Sequence, residues 1–501
     1  MIEGIILGLE TIMTIQNLLL IACGCITGSL IGMLPGLGPI SAIALMIPIS
    51  YNLDPASGMI LLSGVYYGAI FGGSTSSILI NAPGVAGTVA TAFDGYPLAM
   101  SGQAGKALAG AAYASLAGGS LAILLLMISV PYLADLSLSF QSADYFLLML
   151  LGLSLVTAFA EKGSFGKALI MTCLGLSLAT VGTDLASGVE RFTFGRADLI
   201  DGINFLLVAM ATFALTEAFL MVLEKNRGNK PLPIVEQGGL KLSQQEIRDI
   251  TPVICRSSLL GFLVGILPGA GATIASFLAY GAERSLAGEQ SKPFGQGNLK
   301  GLAAPEAANN AACSGSFVPL LTLGIPGSGT TAILLGALVS YGIQPGPRLY
   351  LDEPAIFWSV VISMYFGNLI LLLINLPLIP YIAKLLLIPR TILVPLIIFF
   401  SLTGVYLISF NTFDLYLMIL FTLVAVFLRQ TGFPMAPLLL GFILGGMLED
   451  NLRRAMTISQ GDISILWQRP SSLALLILIS IALISPLVRR LLPTMVKLYD
   501  R

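Results

Sequence analysis

Gly28-Ser29-Leu30-Ile31-Gly32-Met33-Leu34-Pro35-Gly36-Leu37-Gly38 returns in the second half of the chain as Gly261-Phe262-Leu263-Val264-Gly265-Ile266-Leu267-Pro268-Gly269-Ala270-Gly271. An apolar run ending in Pro-Gly-x-Gly cannot continue as a regular helix. Pro removes a backbone donor and clashes with the preceding turn, and Gly admits angles closed to other residues. The chain is therefore expected to be a duplication whose corresponding spans are interrupted at the same place. Paired interruptions of this kind build solute and ion sites in repeat-based membrane proteins.

The environment follows from composition: 56% of 501 residues are hydrophobic and only 10% charged, so the outer surface faces lipid. The expected fold is an all-α polytopic membrane protein. Allowing about 20 residues per crossing, roughly ten to fourteen spanning helices fit, with re-entrant or broken half-helices among them. Apolar windows such as Ile15 to Leu34, Ile203 to Leu223, Ile356 to Leu378 and Leu473 to Val488 recur from end to end. Net charge is -1 and the basic residues form no tract, which argues against a nucleic-acid partner. Met1 to Thr14 lacks Lys and Arg, so the first apolar window is expected to be retained as a helix rather than cleaved as a signal peptide. The five cysteines (Cys23, Cys25, Cys173, Cys255, Cys313) lie in or beside apolar runs, and there is no histidine. They read as small apolar residues, not as a metal or redox site.

The most polar stretch, Glu224 to Ser257, falls between the two glycine motifs. It divides the chain into a first repeat (1–224), a linker (225–257) and a second repeat with C-terminal helices (258–501). Lys225, Arg227, Lys230, Lys241, Arg248 and Arg256 place the linker on the cytoplasmic side under the positive-inside rule, and Arg489, Arg490, Lys497 and Arg501 point the same way. With a basic-free N-terminus outside, the first half crosses an odd number of times and the repeats are inverted. A second pair of Pro-Gly breaks supports the duplication: Asn81-Ala82-Pro83-Gly84 follows the first motif and Gly324-Ile325-Pro326-Gly327 the second, each with a polar tail, Val85 to Thr88 and Ser328 to Thr331.

Breaks free carbonyl and amide groups that cost several kcal/mol each in hydrocarbon unless buried in protein or facing a wet cavity. Freed carbonyls can hold a cation, and the amide end of a half-helix can receive a carboxylate. A kink or a close helix crossing is the plainer use of one such motif; two ordered pairs favour a site. Gly73, Ser74, Thr75, Ser76 and Ser77 precede Pro83, and Ser328, Thr330 and Thr331 follow Pro326. These hydroxyls can line a pocket or simply bond their own helix carbonyls. In Ala304-Pro305-Glu306-Ala307-Ala308-Asn309-Asn310, Glu306 and Asn310 are one turn apart and share a helix face. A carboxyl there is an ion ligand or proton carrier if the segment lies in the membrane, and an ordinary loop residue if the polar stretch Ser291 to Lys300 extends to it. Asp54 and Asp94 read as turn residues; Asp184 and Glu217 are weaker candidates.

These motifs, GMLPGLGP, YYGAIFGGSTSSILINAPG, AFDGYPLA, GILPGAGATIASFLAYGAERS and especially GLAAPEAANNAACSGSFVPLLTLGIPGSGTTAILLGAL, resemble the large transmembrane subunit (TctA type) of the tripartite tricarboxylate transporter family over nearly the whole chain. The resemblance implies a multi-pass protein of the bacterial inner membrane that works with a small membrane subunit (TctB type) and a periplasmic solute-binding protein (TctC type). It implies uptake of a di- or tricarboxylate driven by a sodium or proton gradient, without other cofactors. The site it implies comprises Pro35, Gly36, Gly38, Gly73, Ser74, Thr75, Ser76, Ser77, Asn81, Pro83, Gly84, Pro268, Gly269, Gly271, Glu306, Asn309, Asn310, Ser314, Pro326, Gly327, Ser328, Thr330 and Thr331. Cys313-Ser314 stands where the family usually has smaller residues, and Arg284 is placed either to pair with Glu283 or to mark the cytoplasmic end. An elevator-like motion would benefit from a homo-oligomeric scaffold.

Two other classes remain open at this level. A membrane enzyme would need a nucleophile with a base, a metal cluster or paired aspartates, and with no histidine and no metal-spaced cysteines only aspartates remain. A channel, or a scaffold subunit without its own substrate site, is the principal alternative.

Overall fold

The computed structural model describes residues 2–34, 37–158, 165–184, 187–223, 240–267, 271–287, 292–382 and 390–499. In the first half these form α1 (Ile2–Ile12), α2 (Ile15–Gly32), α3 (Gly38–Ser50), α4 (Pro55–Ile80), α5 (Val89–Leu98), α6 (Ala104–Leu138), α7 (Ser142–Ala158), α8 (Phe165–Leu178), α9 (Phe205–Ala209) and α10 (Thr216–Leu223). The second half holds α11 (Gln244–Ile266), α12 (Gly271–Leu286), α13 (Leu299–Gly315), α14 (Phe317–Leu323), α15 (Gly329–Ser340), α16 (Pro347–Asp352), α17 (Pro354–Ile382), α18 (Arg390–Ser409), α19 (Thr412–Gln430), α20 (Ala436–Ile458), α21 (Ile465–Gln468) and α22 (Pro470–Tyr499). The sheet is one antiparallel pair, β1 (Gly182–Thr183) with β2 (Glu190–Arg191). Among the described residues seven helical segments are long and apolar enough to cross a membrane, and six shorter apolar helices accompany them. The shorter set includes α3 and α15, which begin at chain breaks.

The duplication is visible contact by contact. Gly24, Gly28 and Gly32 of α2 lie in turn against the carbonyls of Leu61, Val65 and Ala69 of α4, and a Cβ on Gly28 would come within 2.2 Å of the Val65 oxygen. In the second half Gly261 and Gly265 of α11 lie against the carbonyls of Ala308 and Ala312 of α13. Gly72 against Ser29 is matched by Gly315 against Phe262, and Gly84 against Gly32 by Gly327 against Gly265. Residues that small allow backbone to approach backbone.

The ascending order of these contacts makes α2 parallel to α4 and α11 parallel to α13. The helix between each pair, α3 or α12, must therefore run back. Arg256 of α11 closes the second hairpin with a bidentate ion pair to Glu283 of α12 (both 2.8 Å). The helices that flank each Pro-Gly-x-Gly thus run in opposite senses, as the two arms of a hairpin and not as one straight span.

The two repeats run in opposite senses. Tyr67 of α4 meets Ser314 of α13 (2.7 Å), and Ser74, two turns further along α4, meets Glu306, two turns earlier on α13 (2.5 Å). The corresponding helices are therefore antiparallel, as an inverted repeat requires. The halves are also interlocked, since α6 packs along α13 and α17 along α4. Helix α4 is buried along nearly its whole length and α13 from Gly301 to Gly315, whereas α19 exposes Leu420, Leu423, Val424 and Phe427, a lipid-facing surface.

Four expectations need adjustment. The end of the expected linker (225–257) is helical, since Ser243 caps α11 in a reciprocal box with Glu246, while residues 225–239 lie outside the described residues. Glu283 pairs with Arg256, not with its neighbour Arg284. Glu217 is not a lone carboxyl, because Arg429 binds it at 2.5 Å. Asp94 sits inside α5 and is fully buried, not in a turn.

Candidate functional site

Pro35, Gly36, Pro268 and Gly269 lie outside the described residues; the residues flanking them are placed. Gly38 and Gly271 open the return arms with φ of +61° and +59°, a left-handed conformation that suits glycine. The second breaks match as well. Asn81 (φ 51°) ends α4 and Gly324 (φ 70°) ends α14, both left-handed and both two residues before Pro-Gly. Each second break then packs on the hairpin of its own repeat, through Gly84 against Gly32 and Gly327 against Gly265. Each also reaches the other repeat: Gly87 lies against Asn309 and Ala272, and Gly329 against Ile40. The structure thus pairs the breaks within each repeat and sets each pair against the neighbouring repeat's return arm.

The hydroxyl run before Pro83 divides by direction. Ser76 and Ser77 donate back to the Gly73 carbonyl (3.1 and 2.8 Å), and Ser77 and Thr88 share a contact of 2.7 Å. These side chains hold the break closed. Thr75 lines a small cavity of about 10 Å³ with Phe71, Ser74, Leu108 and Ser115, about one water's worth of space. In the second repeat Ser328 and Thr331 form a reciprocal cap on α15, and Thr330 is buried beside them without being part of it. Ser314 is engaged by Tyr67.

Ser74 points elsewhere. Its hydroxyl donates to Glu306 Oε1 at 2.5 Å, beside Ser115 of α6 at 2.7 Å and the Asn310 amide at 3.2 Å; Thr91 of α5 donates to Oε2 at 2.9 Å. Glu306 is completely buried. Four helices, α4, α5, α6 and α13, therefore meet on one carboxyl, and the groups on it are neutral. Asn310 also donates to Ser115 (2.9 Å), while its Oδ1 has no partner.

Asn309, next along α13, is the sharper anomaly. It is completely buried, and neither Oδ1 nor Nδ2 has a hydrogen-bond partner. A buried amide in that condition costs about 1–3 kcal/mol, and it stands where the second break of one repeat meets the hairpin of the other.

A second carboxyl does structural work. Asp94 Oδ1 accepts from the backbone N–H groups of Gly295, Gly297 and Asn298 (2.9, 2.9 and 2.7 Å), and Tyr280 donates to Oδ2 at 3.0 Å. It fills the amino end of α13 with negative charge, the sign the helix dipole favours there, and so fixes the helix that carries Glu306 and Asn309. Sequence reasoning did not single out Thr91 or Ser115. Nothing in their spacing marks them, since they reach Glu306 only through tertiary packing of α5 and α6.

Comparison with known proteins agrees with this architecture. Residues 18–440 match the model of the tripartite tricarboxylate transporter TctA family. An uncharacterized 52.8 kDa protein of the TAR-I ttuC' 3' region of Agrobacterium vitis is 44% identical over 476 residues, covering 95% of this chain and 94% of that one. A second Agrobacterium vitis protein, from the TAR-II ttuC' 3' region, is 46% identical over 216 residues, covering 43% of this chain and 89% of its own. No solved structure matches. With its interrupted, duplicated membrane helices and a family match over most of its length, the chain belongs to the tripartite tricarboxylate transporter TctA family.

Proposed function

We propose that this chain is the translocating subunit of an ion-gradient-driven importer of a di- or tricarboxylate of the citrate class. The anion is delivered by a periplasmic solute-binding protein, and a small membrane subunit completes the system in the bacterial inner membrane. Residues 1–224 and 258–501 act as the two inverted repeats. The observation that carries this reading is Asn309: an orphaned, buried amide between Gly87 of one repeat and Ala272 of the other. Its Nδ2 is a donor for a carboxylate oxygen and its Oδ1 an acceptor for a hydroxyl, so one organic acid can satisfy both. A protein that only needed packing there would be more stable with an apolar side chain.

Alternating access fits the hairpins. Helices α2 and α11 pack by glycine on α4 and α13, and the return arms α3 and α12 bear on the opposite repeat's second break, so a shift of the interlocked core changes which hairpin shields the site. The anion crosses a low-dielectric barrier more easily when a cation travels with it.

The test is uptake by proteoliposomes containing this chain and the small subunit, with the binding protein outside, across a panel of labelled di- and tricarboxylates. Saturable uptake that requires both an imposed ion gradient and the binding protein is the expected result. Non-saturating conductance without a gradient would establish a channel instead, and gradient-independent inertness of this chain with every acid would reduce it to a scaffold.

A further inference from the structure

Among the described residues Glu306 is buried without a basic partner: the groups hydrogen-bonded to its carboxyl are the hydroxyls of Ser74, Thr91 and Ser115 and the amide of Asn310. Charged and titratable groups on the surrounding helices are turned to other tasks. Tyr67 of α4 holds Ser314, and Asp94 of α5 holds residues 295–298 with Tyr280 of α12. Lys106 of α6 pairs with Glu246, and Arg256 of α11 with Glu283 of α12. On α13 itself the buried Cys313 lies two turns on and Lys300 two turns back; Tyr66 of α4 stacks on Phe317, and Tyr113 of α6 is half-buried. A bare carboxylate in such a place is far costlier than four neutral hydrogen bonds return. A positive species must accompany it.

The distances discriminate between the two candidates. Ser74 and Ser115 touch the same oxygen, Oε1, at 2.5 and 2.7 Å, and Thr91 touches Oε2 at 2.9 Å. These are direct hydrogen-bond contacts between oxygens, which leave no gap for a metal ion to sit between the carboxylate and the hydroxyls. The adjoining cavity, about 10 Å³, is lined by Phe71, Ile78, Leu108, Ala111 and Ala112 together with Ser74, Thr75 and Ser115; with Ser74 and Ser115 already bonded to Glu306, it offers a cation little beyond the Thr75 hydroxyl. A proton needs no such space.

It does need an acceptor, and Ser74 supplies one. Its Oγ lies within reach of two acceptors, Glu306 Oε1 at 2.5 Å and the Ile70 carbonyl at 3.3 Å. With the carboxyl ionised, the hydroxyl donates to Oε1. With the proton on Oε1, that new O–H donates to Ser74 Oγ, and the serine turns its own hydrogen to Ile70. Both states are fully bonded and differ by one hydroxyl rotation and one proton. We infer that Glu306 is the coupling-proton site and that Ser74 is the hydroxyl that reorients to bond it in either protonation state, an inference that rests on the transport reading above.

The test uses the same reconstituted three-component system with labelled citrate, or succinate if citrate is not carried. Two quantities are read: accumulation driven by an inside-alkaline pH gradient in sodium-free buffer, and gradient-free exchange of internal label for external substrate. Wild type is expected to do both. Glu306→Gln, which mimics the neutral carboxyl, is expected to lose accumulation and keep exchange. Ser74→Ala, which keeps the carboxyl but removes the hydroxyl that bonds it in both protonation states, is expected to lose accumulation in the same way. It also serves if Glu306→Gln does not fold, as judged by a monodisperse elution profile. Accumulation by wild type that follows a sodium gradient and ignores the pH gradient overturns the inference while leaving the transporter intact. Loss of exchange together with accumulation in folded Glu306→Gln also overturns it, because the carboxyl would then belong to the substrate pocket. Wild type that neither exchanges nor accumulates any acid sinks the transport reading itself and takes this one with it.

Discussion

Asn309 and Asp94 show how differently two buried polar side chains can be used. Every acceptor direction of Asp94 is filled by a donor, three of them backbone N–H groups, whereas Asn309 has no partner for either end of its amide. Replacing Asn309 by Leu, which has the same heavy-atom branching without the polar atoms, should therefore raise the melting temperature in detergent by removing a penalty of about 1–3 kcal/mol, and abolish carboxylate uptake. Unchanged uptake with raised stability would leave Asn309 a packing residue. Asp94→Asn should do the reverse. It exchanges charge-assisted bonds for neutral ones and should cost about 1.5–3 kcal/mol of thermal stability; an unchanged melting curve would contradict its role in anchoring α13. Glu306 was legible because a lone charge stood out against a run of alanines. Asp94 was misread because Asp-Gly is a turn signal, and only the distant amides of residues 295–298 make burial inside α5 affordable. Thr91 and Ser115 carried no signal, since hydroxyls scattered along apolar helices are common and their target is set by tertiary contact.

At the scale of elements, the sequence announced where the helices break but not which way the chain leaves. A Pro-Gly-x-Gly inside an apolar run is compatible with a kinked span, and the fold-back into a hairpin is decided by the glycines before it. Gly24, Gly28 and Gly32 form a ridge that meets Leu61, Val65 and Ala69 of α4 backbone to backbone in ascending order, so the two helices run parallel and α3 must return. The same spacing in Gly261 and Gly265 was in plain view, but its partner, the alanine face of α13, could not be chosen from sequence alone. This packing makes a paired prediction. Gly28→Ala and Gly261→Ala would put a Cβ 2.2 Å from the Val65 oxygen and 2.4 Å from the Ala308 oxygen, and each should lose about 1–3 kcal/mol from overpacking. Gly281→Ala in α12 meets nothing within 4 Å and should gain about 0.5–1 kcal/mol from helix propensity. Thermal unfolding of the three variants in one detergent checks the set; similar values for all three would mean that α2–α4 and α11–α13 do not pack as closely as described.

For the whole molecule the decisive property is the opposite sense of the two repeats, because inversion is what lets one sequence pattern serve both faces of the membrane. Under the positive-inside rule the basic linker is expected on the cytoplasmic side, which would put the start of α11, and of α13 parallel to it, on that side. Helix α4 is antiparallel to α13 through the Tyr67–Ser314 and Ser74–Glu306 contacts, so on that expectation its own start would face the periplasm. Asn52, just ahead of α4, and Gln296, just ahead of α13, are both exposed and occupy equivalent places in the two repeats. In a background with Cys23, Cys25, Cys173, Cys255 and Cys313 replaced, Asn52→Cys should react with a membrane-impermeant maleimide added to intact spheroplasts. Gln296→Cys should react only after the membrane is permeabilised. The expected sidedness comes from charge asymmetry, a bias summed over loops, whereas the opposite sense of the two repeats comes from two hydrogen bonds at the centre of the bundle. Because those lines of reasoning share no residue, labelling of both cysteines from the same side would break the link between them. It would also remove the geometric basis for a site shielded alternately by one hairpin tip and then the other.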